Sequence, residues 1–259
     1  MNPLEGKVAL ITGANRGIGR GVATCLAEDG ADVLVNYRTH QQEAQEVVEA
    51  IIGMRRRALA WQADVGDRAQ VEDMVKSAVN HFGKLDIAVA NAAYSVRQAV
   101  VEAKWEDVQR VVNVSQFGVF HTCQFAARQM VEQGGGGKII VISSIHAELP
   151  VARSAAYNMA KAAVNHLVAT MANELARHHI NVNAINPGWI DTPGERQFAT
   201  EEEIRRGALR IPWGRLGTPR DIGRTVAFLA SEHADYITGS CIRVDGGFMP
   251  GLTLPDGAP

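Results

Sequence analysis

This chain of 259 residues has little of what marks several protein classes. Its three cysteines, Cys25, Cys123 and Cys241, are far apart, with no C-x-x-C and no Cys/His ligand spacing. That argues against a disulfide framework and a zinc site, and no metal is expected. No apolar run approaches the roughly 18 residues that a membrane helix needs. The polar stretch from Met1 to Lys7, followed by the short run 8–11, does not resemble a signal peptide. A cytoplasmic protein is therefore expected, in which the sequon Asn113-Val114-Ser115 stays idle. A net charge of −2 gives no electrostatic case for nucleic acid or an anionic membrane as partner. No Pro/Ser-rich linker divides the chain, so residues 1–259 read as a single domain.

What the chain does have is alternation. Short β-branched runs at 8–12, 32–37, 58–62, 85–90, 138–143, 181–185 and 241–244 predict seven strands. Helical patterns fall at 17–29, 41–54, 68–82, 105–132, 155–176 and 221–230. Runs such as Val8-Ala9-Leu10-Ile11 are apolar throughout, as in a parallel sheet covered on both faces. Repeated β-α-β units predict an α/β fold with a doubly wound, Rossmann-type, seven-stranded parallel sheet. Gly134–Gly137 reads as a turn before a strand. Residues 194–219 break the rhythm after the sixth strand. Ligands bind beyond the carboxyl ends of strands in such sheets, so this insertion is expected to form a substrate lid.

Between the first strand and first helix runs Thr12-Gly13-Ala14-Asn15-Arg16-Gly17-Ile18-Gly19. Glycines there allow a tight turn and close backbone approach, and the helix N-terminus offers free N–H groups to a pyrophosphate. The second strand ends Asn36-Tyr37-Arg38, without the carboxylate that would hold the ribose hydroxyls of NAD. Arg16 and Arg38 are placed to clamp a 2′-phosphate. NADP is the expected cofactor, with NAD as the alternative.

Tyr157-Asn158-Met159-Ala160-Lys161 puts a phenol and an amine one helical turn apart on one face. A phenol titrates near pH 10, and a nearby cation favours the phenolate. Ser144, at the end of the preceding strand, is positioned to share a substrate oxygen with the tyrosine.

Together these residues resemble the short-chain dehydrogenase/reductase family, from about Lys7 to Gly247. Asp64-Val65, Asn91-Ala92, the Pro187-Gly188-Trp189-Ile190-Asp191-Thr192 segment and Asp245-Gly246-Gly247 match its further motifs. The resemblance implies Tyr157 as general acid/base, with Lys161 lowering its pKa and holding the nicotinamide ribose. It gives Ser144 the substrate oxygen and makes Asn113 part of a water-mediated proton relay from Lys161. It assigns cofactor contacts to Gly13, Asn15, Arg16, Gly17, Ile18, Gly19, Tyr37, Arg38, Asp64, Val65, Asn91, Ala92, Tyr157, Lys161, Pro187, Gly188, Ile190 and Thr192. One departure stands out: the N-N-A-G stretch is Ala90-Asn91-Ala92-Ala93 here, which puts a methyl group near the cofactor.

Within the family the chain is most similar to glucose 1-dehydrogenases and other sugar or polyol dehydrogenases. Asn36-Tyr37-Arg38, Ser143-Ser144-Ile145-His146 and Ile211-Pro212 before Gly217 carry that likeness. His146, two residues after Ser144, is placed either to donate to a substrate hydroxyl or to pack at the mouth of the site. Such enzymes tend to carry an acidic residue just after N-A-G, where this chain has Tyr94-Ser95, leaving Glu148 or Glu102 as substitutes. A 3-oxoacyl-[acyl-carrier-protein] reductase is the alternative, with Asn173 where a second carrier-binding arginine is expected. A cofactor-sensing protein without catalysis is a distant third. The resemblance also implies a homotetramer, pairing the 105–132 and 155–176 helices, with the tail 248–259 reaching a neighbouring subunit.

Overall fold

The computed structural model describes residues 2–251. Seven parallel strands form one sheet in the order β3-β2-β1-β4-β5-β6-β7. They are β1 (Val8–Ile11), β2 (Asp32–Tyr37), β3 (Ala58–Gln62), β4 (Ile87–Ala90), β5 (Gly137–Ile142), β6 (Ile180–Pro187) and β7 (Cys241–Val244). The last of the four glycines thus opens β5 rather than closing the turn. Parity along each strand sends alternate side chains to opposite layers. From β1, Ala9 and Ile11 enter one apolar cluster with α1 (Gly17–Glu28), α2 (Gln41–Gly53) and α8 (Pro219–Ala230). Val8 and Leu10 enter the other, against α3 (Arg68–Phe82), α5 (Gly118–Gln133) and α6 (Ala155–Leu175). That is the doubly wound arrangement expected, in a single domain.

The expected helix at 105–132 is two helices. α4 (Trp105–Val112) and α5 flank a π-turn at Asn113–Phe117, closed by the Gly118 N–H on the Asn113 carbonyl. A π-turn re-aims the side chains around it and often marks a functional site. The insertion at 194–219 carries α7 (Glu201–Ala208), with no counterpart among the predicted helices. Ile204, Ile211 and Leu216 form a small cluster there with Trp189 and Phe248. The helix starting at Phe248 (α9, Phe248–Gly251) ends the described chain, so the tail expected to reach a neighbour lies, from residue 252 on, outside the described residues. Cys25 and Cys123 are buried, and burial pushes the Cys123 thiol up to about 12. Cys241 is exposed on the edge strand.

Candidate active site

The sheet order reverses between β1 and β4, which opens a crevice at their carboxyl ends. Two asparagines stitch the glycine loop into it. Asn91, just past β4, donates to the Thr12 carbonyl at 2.8 Å, while the Thr12 hydroxyl accepts from the Asn91 and Ala92 amides at 2.9 and 3.0 Å. From β2, the Asn36 side-chain oxygen accepts from the Gly13 amide at 3.1 Å, and its nitrogen donates to the Ala63 carbonyl at 3.1 Å. Gly13 and Gly17 have φ of 62° and 54°, left-handed values that favour glycine. A Cβ on Gly19 would collide with the Gly13 carbonyl.

The groove over this loop has a volume of about 330 Å³. Gly13, Asn15, Arg16, Gly17, Ile18, Arg38, Asp64, Val65, Asn91, Ala92 and Thr192 line it, together with Thr39 and His40 at the start of α2. Arg38 lies 3.8 Å from the Asp64 carboxylate, and Asn15 donates to Glu43 at 2.9 Å. Tyr37 is a correction. Its ring packs in the core with Val33 and Val35, because alternate residues of a strand share a face. Asn36 takes the place beside the loop. The glycine cradle, the exposed helix start and the groove's arginines fit a dinucleotide.

A second cavity, of about 470 Å³, joins the groove through Ile18, Asn91, Ala93 and Thr192, which line both. Ser144, His146, Tyr157, Lys161, Pro187, Gly188 and Ile190 line its inner wall. Ala93, the departure from the family stretch, is exposed at the junction without a positive φ, so the methyl group causes no backbone strain there. The motif around Pro187-Gly188 is a packing unit. A Cβ on Gly188 would come within 2.7 Å of Asp245, whose carboxylate accepts the Gly247 and Met249 amides at 3.0 and 2.9 Å.

Tyr157 and Lys161 share a face of α6, with the amine 5.3 Å from the phenol ring centre. Burial governs both groups. It pushes the Tyr157 pKa well above the usual phenol value, with the Glu195 charge adding to that and a hydrogen bond with Ser144 opposing it. It pulls the Lys161 amine down to about 7. In the protein alone, desolvation therefore outweighs the expected pull of Lys161 on Tyr157. Lys161 Nζ donates to the Ile142 carbonyl at 2.7 Å. Asn113 is the second correction. Its amide donates to the Gly66 carbonyl at 3.3 Å, and it is exposed and outside the residues that line the cavity. The π-turn directs it toward the turn before α3, and Ser115 in the same turn is buried against the loop after β4 instead. The buried Ser115 hydroxyl donates to the Tyr94 carbonyl at 2.7 Å and accepts from its amide at 2.9 Å, clamping the loop after β4.

The Ser144 hydroxyl accepts from the His146 amide at 3.1 Å, so its own proton is the one offered to Tyr157 or to a substrate oxygen. His146 stands edge-on to Tyr157, with ring centres 5.4 Å apart. The cavity's outer wall comes from the loop after β4 and from the 194–219 insertion. Ser95, Arg97, Glu195, Phe198 and Glu203 line it, and Arg97 pairs with Glu195 at 3.2 Å. Glu148 and Glu102 are not among the lining residues. Glu148 accepts from Asn186 at 3.0 Å and pairs with Arg243 at 3.2 Å. The acidic group near the phenol is thus Glu195, from an insertion whose path no local signal gives. No cluster able to hold a metal is found among the described residues, and no helix there is long and apolar enough to cross a membrane.

A glycine-cradled groove running into a cavity with a buried Ser-Tyr-Lys set defines a dinucleotide-linked oxidoreductase of the α/β class. The family model described as enoyl-(acyl carrier protein) reductase matches residues 13–249. L-rhamnose 1-dehydrogenase (NAD(P)(+)) of Sphingomonas sp. (strain SKA58) is 39% identical, over 97% of this chain and 100% of its own. 2-dehydro-3-deoxy-D-gluconate 5-dehydrogenase of Dickeya dadantii (strain 3937) is 40% identical, over 95% of this chain and 96% of its own. A solved short-chain type dehydrogenase/reductase from Mycobacterium marinum superposes with a TM-score of 0.90 at 40% identity, covering 97% of each chain. The chain belongs to the short-chain dehydrogenase/reductase family.

Proposed function

We propose that the protein interconverts a secondary alcohol or hemiacetal and its carbonyl form on a sugar or polyol, with NADP preferred over NAD. The observation that carries this reading is the cavity wall beside Tyr157, where His146, Arg97, Glu195, Glu203 and Ser95 offer donors and acceptors on several sides. Such a wall suits a substrate with several hydroxyl groups and penalises an acyl chain, which would leave those groups unpaired. Two relatives with sugar-derived substrates in their names, an L-rhamnose dehydrogenase and a 2-dehydro-3-deoxy-D-gluconate dehydrogenase, support the same class.

The bound dinucleotide supplies or accepts the hydride. Ser144 donates to the substrate oxygen and fixes it beside the Tyr157 hydroxyl. In reduction Tyr157 gives its proton to that oxygen, and in oxidation it takes one back. Lys161, in its charged form, favours the phenolate by its proximity to the ring. The segment 194–219 acts as a lid, bringing Glu195, Phe198 and Glu203 over the substrate and limiting water. Arg38, His40 and the free amides at the start of α2 line the groove and would hold a 2′-phosphate, and β2 ends without a carboxylate to repel it. Exposed Phe117, Phe120 and Met159 on the π-turn, α5 and α6 support burial against further copies in a homotetramer, which a mass measurement in solution checks.

A panel assay with NADP and NAD against aldoses, polyols, small ketones and acetoacetyl thioesters tests the reading. Oxidation of an aldose or polyol is expected. Thioester reduction alone would replace it with the carrier-protein reductase reading, and no turnover of any substrate would favour a cofactor-sensing role.

A further inference from the structure

We propose that Asn158 fixes His146 in one tautomer, so that His146 accepts a hydrogen bond from a substrate hydroxyl next to the reacting carbon. This rests on the sugar or polyol reading above and reverses the donor role that the sequence allowed His146.

The argument is one of donors and acceptors. Asn158 Nδ2 donates to the Val151 carbonyl at 3.0 Å, and only the nitrogen of an amide can do so. The amide oxygen is therefore the atom that faces His146 Nδ1 at 2.9 Å. That oxygen only accepts, so Nδ1 carries the ring proton. A neutral imidazole with its proton on Nδ1 has a bare lone pair on Nε2. A second proton there is disfavoured: burial holds the His146 pKa below its usual value, and the charges of Arg97 and Lys161 act the same way. The hydrogen bond to Asn158 acts against them, and Glu195 and Glu203 are the carboxylates that line the same cavity. His146 lines the cavity within ring contact of Tyr157, so an acceptor there lies beside the oxygen that Tyr157 and Ser144 hold. Arg97 and the Ser144 hydroxyl supply donors, and His146 adds an acceptor that a substrate lacking the neighbouring hydroxyl leaves unpaired. Asn158 is the positioning residue, acting through His146.

The tautomer is read directly by ¹⁵N NMR of the histidine rings, assigned with His146→Gln. The expected spectrum of the wild-type protein has the His146 proton on Nδ1, and Asn158→Leu loses that preference. Asn158→Asp, which still accepts from Nδ1, restores it and raises the ring's pKa. The functional arm compares 3-hydroxy-2-butanone with 2-butanone, identical but for one hydroxyl. The ratio of their kcat/KM values is expected to fall about tenfold or more in Asn158→Leu, one lost hydrogen bond. Asn158→Asp is expected to keep the ratio at pH 8 and lose it at higher pH than the wild type does on acidification, because the protonated ring no longer accepts. A proton on Nε2 in the wild-type spectrum would overturn the proposal, as would an equal loss with both ketones. If neither ketone nor any sugar is turned over, the functional reading fails. The tautomer and the shift of Nε2 on adding an aldose then decide the proposal separately.

Discussion

Arg97 and Glu195 meet at 3.2 Å across the mouth of the cavity, tying the loop after β4 to the segment that follows β6. The Arg97 guanidinium also covers the Phe198 ring, 4.8 Å from its centre. With side chains 42% and 27% exposed, the pair adds at most about 1 kcal/mol to stability, since solvent screens it. Its expected effect is on substrate. Arg97→Ala and Glu195→Gln should each raise KM about five- to tenfold with little change in melting temperature. The double variant should lose less than the sum, the sign of a direct coupling. Additive losses in steady-state kinetics would show that the two residues act separately.

The proton chemistry has a direction. Burial holds Tyr157 in the phenol form far up the pH scale. Reduction needs the phenol, so its rate should stay flat across pH 6–8. Oxidation needs the phenolate, so its rate should climb with pH over the same interval, less steeply above pH 7 where Lys161 loses its charge. Tyr157→Phe should cost about 10²–10⁴ in kcat in both directions, with dinucleotide affinity retained. Lys161→Met should move the oxidation limb to higher pH, because the cation that favours the phenolate is gone. Stopped-flow rates across the pH range check all three, and unchanged turnover in Tyr157→Phe would remove it from the chemistry.

Cofactor choice should respond to one residue. Arg38 faces the groove, and among the described residues its ion-pair contact is the loose one to Asp64 at 3.8 Å. A charge-assisted hydrogen bond is worth roughly 1.5–3 kcal/mol, or about 10–100-fold in affinity. Arg38→Asp should weaken NADP by about that factor and leave NAD within a few-fold, measured as dissociation constants by fluorescence. Equal loss of both would place Arg38 outside the phosphate position.

Local signals carried much of this in the sequence. The strands were legible because they are short runs rich in apolar and β-branched residues, and the glycine loop because it joins a strand to a helix. Tyr37 was misplaced although strand parity with Val33 and Val35 gives its burial. α7 was missed although Thr200 and Glu203 form a capping box, each side chain bonding the other's backbone. The same device at Thr218 and Asp221 starts α8 two residues before its predicted beginning. The π-turn was not legible, since apolar spacing hardly differs between five residues of π-turn and of α-helix. Its consequences for Asn113 and Ser115 follow from tertiary contacts to Gly66 and Tyr94, far away in sequence.

Ser115 is the cheapest check on that turn. Ser115→Ala would leave both backbone groups of Tyr94 without this partner, in a part-buried position. Stability should fall by about 1–3 kcal/mol. KM should rise as well, because the loop it clamps leads to Ser95 and Arg97. A thermal melt together with substrate kinetics separates this from a purely local effect, and a variant equal to wild type in both would show that the clamp is idle.

Gly207 gives the sharpest steric test of the lid. It lies within α7, where alanine would ordinarily favour the helix by about 1 kcal/mol. A Cβ there would run into the six-membered ring of Trp189, which follows the Pro187-Gly188 turn and lines the cavity. Overpacking of that kind costs about 1–3 kcal/mol and outweighs the helix gain. Gly207→Ala should therefore lift α7 from the cavity, raising KM at least tenfold and exposing the 194–219 segment to limited proteolysis, while the sheet keeps its melting temperature. Trp189→Leu in the same chain frees the space for the methyl group and should recover most of the protection. Protection from cleavage unchanged in Gly207→Ala alone would show that α7 does not depend on this contact.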